Sequence, residues 1–164
     1  MSAVRHGYRV DPRTATTGSP APEGFDVRPA ATRDAEELAV LMDSAYRGTI
    51  DHHGETLDDA RREIAGYLDE PGALEHSFVA LSDGCLISAA LCSRDGDAGG
   101  FIAYVMTAAD HKGRGIAAYL VHLSIESMAH SGVSQVTAWI TEGNAPSESI
   151  FISAGFTITE TIRA

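Results

Sequence analysis

Residues 105–118 read Val-Met-Thr-Ala-Ala-Asp-His-Lys-Gly-Arg-Gly-Ile-Ala-Ala. The β-rich residues before this stretch predict a strand over 101–107, and apolar residues at helical spacing predict a helix over 116–131. Between them, Gly113 and Gly115 let a backbone approach a ligand closely, and the first N–H groups of the helix attract anions. Lys112 and Arg114 add positive charge, or are solvated charges on a turn. The stretch predicts an anion-binding turn.

The glycine turn alone fits more than one cofactor. Gly113-x-Gly115-x-x-Ala118 also matches the dinucleotide fingerprint of nicotinamide and flavin enzymes. That fold normally places the turn after its first strand and needs several further βαβ units, whereas only two strands and one helix are predicted after Ala118. A nucleoside-triphosphate loop requires Gly-Lys-Ser/Thr, which is missing here. The position of the turn late in the chain argues against both cofactors.

The rest of the chain predicts an α/β fold with a mixed (α+β) sheet, in the order β-α-α-β-β-β-α-β-α-β. Ser82-Asp83-Gly84 predicts a tight hairpin. Residues 1–24 have no apolar periodicity and predict a flexible tail, which leaves 25–164 as a single domain. The predicted elements are a strand from Phe25, helices 34–46 and 57–68, strands 76–81, 85–92 and 101–107, helix 116–131, strand 135–141, helix 144–154 and strand 156–161.

The charge balance constrains the partners. With 23 acidic and 12 basic residues, the formal net charge of −11 repels nucleic acid and anionic lipid surfaces. It favours a cationic substrate such as an amine, although solubility alone also explains an acidic surface. We therefore expect no nucleic-acid partner.

The cysteines and the apolar pattern indicate a reduced compartment. Cys85 and Cys92 fit no metal-ligand spacing, so we expect two core thiols and no metal site. No apolar run is long enough for a membrane helix or typical of a signal peptide. The sequence predicts a cytoplasmic protein without membrane partners.

Two motifs resemble the GNAT superfamily of N-acetyltransferases. In that family a strand ending in Val-x-Val leads to Arg/Gln-x-x-Gly-x-Gly/Ala at the head of a helix. Residues 105–107 and 112–117 match it, with Thr107 in place of the second Val and Lys112 in place of Arg or Gln. The family later has Asn-x-x-Ala, an aromatic residue and Gly-Phe. At those offsets the chain has Asn144, Ser147, Phe151 and Gly155-Phe156.

The resemblance covers about residues 25–161 and implies a GNAT-like acyl-CoA N-acyltransferase fold with acetyl-CoA as cofactor. It places the pyrophosphate on the amides of residues 113–118 and the pantetheine arm beside the strand that ends at residue 107. A backbone N–H near residues 106–107 would polarise the thioester carbonyl. The implied cofactor-binding residues are Val105, Met106, Thr107, Lys112, Gly113, Arg114, Gly115, Ile116, Ala117, Ala118, Asn144, Ser147 and Phe151.

The catalytic groups are less clear from the sequence. The family often uses a tyrosine to protonate the leaving thiolate, but Phe151 stands at that position and cannot donate a proton. Ser147, Ser149 or Ser153 are alternatives, or the thiolate leaves unassisted. Glu142 and Tyr104 are the candidate general bases, although Glu142 also suits a helix cap. His122 is predicted to be exposed rather than catalytic.

The loop of residues 46–55 joins the first two helices, which border the acceptor site in the family that the chain resembles. Tyr46, Asp51 and Glu55 are candidate substrate-binding residues, the two carboxylates for a cationic amine. His52 or His53 is a candidate base near neutral pH. A solvated loop with no role is the alternative.

We therefore expect an N-acetyltransferase that moves acetyl from acetyl-CoA to a primary amine of a small molecule by direct attack in a ternary complex. The alternative is a non-catalytic CoA-binding sensor or regulatory module, suggested by the missing tyrosine. Acetylation of a protein or an aminoacyl-tRNA is a further alternative, and the acidic charge argues against the RNA substrate. Trp139 points away from the predicted core, which suggests a homodimer interface.

Overall fold

The computed structural model describes residues 2–16, 18 and 20–163. Three residues of the predicted tail (Met1, Thr17 and Ser19) and the last residue of the predicted domain (Ala164) lie outside the described residues. The strands are β1 (Val4–Val10), β2 (Asp26–Pro29), β3 (Phe78–Ser82), β4 (Cys85–Asp95), β5 (Gly99–Thr107), β6 (Gln135–Thr141) and β7 (Thr157–Arg163). The α-helices are α1 (Ala35–Tyr46), α2 (Leu57–Leu68), α3 (Ile116–His130) and α4 (Ala145–Ser153).

The strands form one seven-stranded sheet in the order β2-β3-β4-β5-β6-β1-β7. β5 and β6 pair in parallel, and the other neighbours pair antiparallel. One core packs α1 and α2 on β3, β4 and β5, and a second core packs α3 and α4 against residues of β1 and β3–β6. The predicted mixed α/β fold is confirmed, with helices on both faces of a sheet.

β1 corrects the prediction of a flexible tail over residues 1–24. Residues 4–10 form a strand between β6 and β7, with Arg5 opposite Thr141 on one side and Ile162 on the other. Only Tyr8 and Val10 of β1 are buried apolar residues with large side chains. Because the strand is stabilised by partners far along the chain, local periodicity carries no signal for it. The sheet therefore begins at Val4 rather than near Phe25.

The hairpin at Ser82-Asp83-Gly84 has the predicted tight turn. Ser82 pairs with Cys85, and the two residues between them have φ of 49° and 78°. Two consecutive positive φ angles suit the right-handed twist of the flanking strands, and Asp-Gly is a preferred pair for such a turn.

Two predictions about burial are wrong. Cys85 is exposed at the start of β4, and only Cys92 is a core thiol, in which burial raises the pKa to about 12. His122 is buried, at 8% exposure, rather than exposed. Burial lowers its pKa, which favours the neutral imidazole.

Two further observations concern membrane-spanning helices and metal sites. Every helix in the described ranges is too short or too polar to cross a membrane. Across residues 2–16, 18 and 20–163, His, Cys, Asp and Glu side chains nowhere gather in a group of three that suits a metal ion.

Candidate active site

The site is built around a gap between β5 and β6. The two strands pair only at Gly99–Phe101 with Gln135–Thr137. Immediately beyond, Ala103 is an extra residue in β5, since Leu91 of β4 pairs with Tyr104 and Cys92 with Ile102. Such a bulge bends its strand and increases the local twist. β5 therefore leaves β6 after residue 101, and the edge of β5 that faces β6 is free of pairing over residues 102–107.

A cavity of about 630 Å³ occupies this gap and the space under α1 and α2. Its walls come from β1, α1, the loop of residues 47–56, α2, β5, β6 and α4. Among the lining residues are the predicted site residues Tyr46, Asp51, His52, Glu55, Tyr104, Val105, Asn144, Ser147 and Phe151. The structure thus brings predicted acceptor residues and predicted cofactor residues to one space.

The cavity is lined by five carboxylates, and internal partners engage most of them. Asp43 pairs at 2.8 Å with Arg47, the residue that follows α1, and Asp59 pairs with Arg62. Glu55 accepts a hydrogen bond from the backbone N–H of His53, which holds the pKa of its carboxyl below the ordinary value. Two of the five carboxylates, Asp43 and Asp59, have an arginine counterion. The other three leave the cavity with a net negative character.

Asp51 ties the loop of residues 47–56 to the far side of the gap. Its Oδ2 accepts a hydrogen bond from Asn144 Nδ2 at 2.9 Å. Ile50 lies against the adjoining turn, where its Cδ1 is 3.9 Å from the position that a Cβ on Gly143 would take. The loop therefore lines the cavity and contacts the start of α4.

Glu63 of α2 accepts a short hydrogen bond from the hydroxyl of Tyr104 inside the cavity. Burial raises the pKa of the Tyr104 hydroxyl, and the Glu63 carboxylate raises it further. Burial likewise raises the pKa of Tyr46, with smaller contributions from Asp51 and Glu63. Both tyrosines are neutral hydroxyl donors near neutral pH, so Tyr104 alone is a poor base. Glu63 is the carboxylate that the pair presents to the cavity.

The anion-binding turn lies at the N-terminus of α3. Gly113 and Gly115 both have φ of 78°, and Gly115 caps the helix in the left-handed conformation. None of the backbone N–H groups from Lys112 to Ala118 donates to an acceptor in the described part of the chain. Free amides at a helix start, with the positive end of the helix dipole, suit a pyrophosphate. The residues here fit the phosphates of CoA.

The side chain of Lys112 contacts α1. Its Nζ donates a hydrogen bond of 2.7 Å to the carbonyl of Ala45 in the last turn of α1. A cation at a helix C-terminus is favourable because the last carbonyls lack partners within the helix. Lys112 thus attaches the turn to α1, and Arg114 is left as the exposed cation of the turn.

Asn144 lies at the start of α4 and Phe151 in its last turn. Asn144 Oδ1 accepts from the N–H of Ser147 and so caps α4, while its amide group reaches Asp51. Phe151 is 1% exposed and packs edge-to-face on Phe156 with ring centroids 5.0 Å apart. Phe151 is both a core aromatic and part of the cavity wall.

Three sets of predicted residues lie outside the cavity. Met106 is 1% exposed, and its carbonyl accepts from Ser88 Oγ at 2.8 Å, with Thr107 Oγ1 3.0 Å from the same Oγ. Residues 112–118 lie at the open start of α3 rather than in the cavity wall. Glu142 is exposed, with its carboxylate 3.6 Å from His6 Nε2. Its position follows from β1, whose Val4 carbonyl receives the N–H of Glu142.

Several lining residues gave no sequence signal. Glu63 lies among other charges on α2, and Arg5 belongs to the strand that the sequence failed to predict. Trp139 was predicted to face away from the core, and its ring lies beside Gly7, within 3.3 Å of the position of an added Cβ. Trp139 also lines the cavity, so its outward position does not require a homodimer interface.

Comparison with known proteins agrees with this geometry. The acetyltransferase (GNAT) family matches residues 36–156. No curated protein sequence is significantly similar to the chain.

Solved structures share the fold at low sequence identity. A GCN5-related N-acetyltransferase from Sphaerobacter thermophilus has a TM-score of 0.77 at 16% identity, over 99% of this chain and 50% of that chain. A protein from Pyrococcus horikoshii has a TM-score of 0.70 at 18% identity, over 85% of this chain and 98% of that one. The PaiA N-acetyltransferase of Thermoplasma acidophilum, solved in complex with coenzyme A, has a TM-score of 0.63 at 15% identity, over 82% and 91%.

The chain spans half the length of the Sphaerobacter protein, so that comparison concerns the fold alone. The family match, in contrast, covers most of the chain and includes both the turn at the start of α3 and the Asn144 motif. The chain therefore belongs to the acetyltransferase (GNAT) family.

Proposed function

We propose that this chain transfers an acetyl group from acetyl-CoA to a primary amine of a small molecule, by direct attack in a ternary complex. The observation that carries the proposal is the gap between β5 and β6. β5, which borders this gap, lines the carboxylate cavity with Ala103, Tyr104 and Val105, and the chain reaches the free amides before α3 a few residues after β5 ends at Thr107. One chain thus has a phosphate-binding end and an amine-binding end on one cleft.

CoA supplies an activated acetyl thioester and a thiol leaving group. The amides of residues 112–118 bind its pyrophosphate, with Arg114 adding charge. The free edge of β5 offers peptide groups to the pantetheine arm, because alternate N–H and C=O groups of a strand point to the side that has no partner. A β5 amide N–H on that edge polarises the thioester carbonyl.

The acidic cavity favours a cationic acceptor. Asp51 and Glu63 each receive a hydrogen bond from a neutral group, an amide or a hydroxyl, so their negative charge is not neutralised by an arginine. The net charge of −11 attracts a cation over a longer range. The cavity volume of about 630 Å³ suits a small molecule together with the end of a pantetheine arm.

The amine must lose a proton before or during attack, since an ammonium has no lone pair. We assign Glu63 as the general base, because it is a carboxylate in the cavity whose partner Tyr104 stays neutral. Tyr104 orients the carboxylate and acts through it. Glu142, the other base candidate from the sequence, faces His6 instead.

Phe151 has no proton to donate to the leaving thiolate. Tyr46 has a hydroxyl in the same cavity wall, and burial raises its pKa, so the hydroxyl keeps its proton at neutral pH. Ser147 also lines the cavity, whereas Ser149 and Ser153 do not. An ordinary thiol pKa near 8.5 also permits departure without an acid. Departure of the thiolate therefore does not require the tyrosine that the family often has where this chain has Phe151.

Two measurements test the proposal. Isothermal titration with acetyl-CoA and CoA should show binding, and an assay of CoA thiol release should show sustained turnover with at least one amine of a panel. Absence of binding at millimolar ligand would refute the proposed cofactor. Binding without release from any amine would refute the transferase and support a non-catalytic CoA-binding sensor.

The sensor is the second candidate because Phe151 replaces the residue that often serves as the acid in this family. Acetylation of a protein or an aminoacyl-tRNA is a third. For the RNA substrate the net charge of −11 is unfavourable. Salt-sensitive retention of the protein on tRNA would reverse that judgement.

A further inference from the structure

A second cavity, of about 480 Å³, adjoins the first on the same face of the sheet. The residues that line both cavities are Arg5, Glu63, Ala103, Tyr104 and Trp139. The shared wall thus contains the proposed base, its tyrosine partner and one guanidinium. An acceptor whose amine reaches Glu63 is therefore close to the shared wall that carries Arg5.

Arg5 differs from the other arginines of these walls in lacking a carboxylate partner. Arg62 pairs with Asp59, and Arg94 pairs with Glu75 at 2.6 Å. In the parts of the chain that the structure describes, Arg5 forms no ion pair. A cation without a counterion is unexpected beside Asp51, Glu55 and Glu63 in a chain with a net charge of −11.

The position of Arg5 is fixed by its backbone. β1 is hydrogen-bonded on both sides, with Arg5 opposite Thr141 and Ile162. Its side chain shares a sheet face with Trp139, which pairs with Gly7 two residues along β1. A guanidinium that projects from an inner strand is held ready for a ligand, because little backbone freedom is lost on binding.

We propose that the acceptor is an amino acid or a similar zwitterion, whose carboxylate binds Arg5 while its amine faces Glu63. This inference rests on the proposed function, of which it specifies the acceptor. A planar guanidinium matches a carboxylate with two parallel hydrogen bonds. An acceptor with only cationic groups gains nothing from Arg5 and is repelled by it. A phosphate carries more negative charge into the acidic cavity than a carboxylate does.

Matched pairs of amines isolate the carboxylate. L-lysine and cadaverine differ only in the α-carboxylate, as do L-ornithine and putrescine. With acetyl-CoA saturating, the wild-type protein should show a kcat/KM at least about 10-fold higher for the amino acid of each pair, as expected for a charge-assisted hydrogen bond. Arg5→Ala should remove this preference, and Arg5→Lys should restore part of it.

Arg9→Ala is the control. Arg9 lies on the same strand and the same face as Arg5, is exposed, and lines neither cavity. It should keep the preference for lysine over cadaverine. A thermal melt and the acetyl-CoA affinity of each variant show that the fold and the cofactor site are intact.

Equal rates for the two members of a pair, a preference for cadaverine, or a preference that survives Arg5→Ala would each overturn the inference. If no amine is turned over, the proposed function fails, and the Kd values of lysine and cadaverine for the CoA-bound protein decide the inference separately. Tighter binding of lysine that depends on Arg5 supports it. Equal or absent binding overturns it.

Discussion

The two proposed ends of the site, the cofactor end and the acceptor end, are built in different ways. At the cofactor end, the turn before α3 presents main-chain amides from one continuous stretch, residues 112–118, and two glycines shape it. At the acceptor end, side chains from β1, α1, the following loop, α2 and β5 converge on one cavity. In the proposed function, the first end binds a group common to all CoA esters. In the same proposal, the second end carries the residues that distinguish one amine from another.

This difference implies that the two ends fail in different ways. Changing a side chain at the acceptor end removes one chemical group and leaves the main chain in place. Changing a glycine at the cofactor end distorts the main chain itself. Substitutions at one end should therefore alter turnover, and substitutions at the other should alter cofactor affinity.

The largest effect is expected at Glu63. Glu63→Gln keeps the size of the side chain and a carbonyl acceptor for Tyr104 but removes the base, so kcat should fall by about 100-fold or more. Acetyl-CoA affinity should change by less than about 2-fold, because Glu63 lies away from the turn before α3. Thiol-release kinetics and titration with acetyl-CoA measure the two quantities.

Glu142→Gln is the paired experiment, since Glu142 is the base candidate that the sequence alone favours. Its carboxylate faces His6 outside the cavity, and we expect kcat within about 3-fold of wild type, as for a surface substitution. A large loss in Glu142→Gln with full activity in Glu63→Gln would reverse the assignment and restore the sequence-based prediction.

At the cofactor end, Gly115→Val should weaken acetyl-CoA binding by about 10-fold or more. The residue has φ of 78°, which a β-branched side chain adopts only with strain of about 1–3 kcal/mol, so the turn must shift. Gly132→Val is the control, because Gly132 has the same φ at the other end of α3 and open space around it. Similar losses of acetyl-CoA affinity in both variants would mean that general strain, and not the turn, is responsible.

A smaller effect is expected where the two ends meet. Asn144→Ala removes both the cap of α4 and the hydrogen bond to Asp51, and should lower the free energy of unfolding by about 1 kcal/mol. Asn144→Ser retains a capping oxygen but not the amide that reaches Asp51. If the loop of residues 47–56 is held by this contact, both variants should raise the acceptor KM, and only Asn144→Ala should lose stability. Denaturant unfolding and kinetics separate the two roles.

The smallest effect concerns alkaline pH. Burial raises the pKa of both Tyr46 and Tyr104 in the folded chain, whereas an unfolded tyrosine has a pKa of about 10. Their neutral forms therefore contribute stability that is fully present below about pH 10 and is lost as pH rises toward the folded pKa values. Tyr104→Phe should make the free energy of unfolding less dependent on pH between about 9.5 and 11. An unchanged pH dependence would contradict the raised pKa.

The cofactor end was readable from the sequence because its determinants are local. Gly113 and Gly115 sit between a strand and a helix that each have their own periodicity, and Asn144 begins a helix that it caps. The family resemblance and the mixed sheet followed from the order of these elements. Cys85 and His122 were misjudged, since a residue's pattern does not reveal what covers it from another part of the chain.

The acceptor end was only partly readable. Asp51 and Glu55 were predicted because they lie in one loop, whereas Glu63 and Arg5 reach the cavity through a bulge at Ala103 and through a strand paired with distant partners. Hydrogen bonds between β1 and β6 or β7 depend on tertiary structure and leave no local pattern. For that reason the proposed base and the proposed carboxylate-binding residue emerged only from the structure.

The place of β1 in the sheet has a consequence for folding. Arg5 cannot pair with both Thr141 and Ile162 until nearly all of residues 4–163 have been synthesised. The reason is that its two partner strands come late in the chain. Contacts this distant in sequence are slow to form. During synthesis, the turn before α3 and the β3–β5 hairpins leave the ribosome before β1 has either neighbour. The wall of the proposed acceptor site is therefore completed after the proposed donor site.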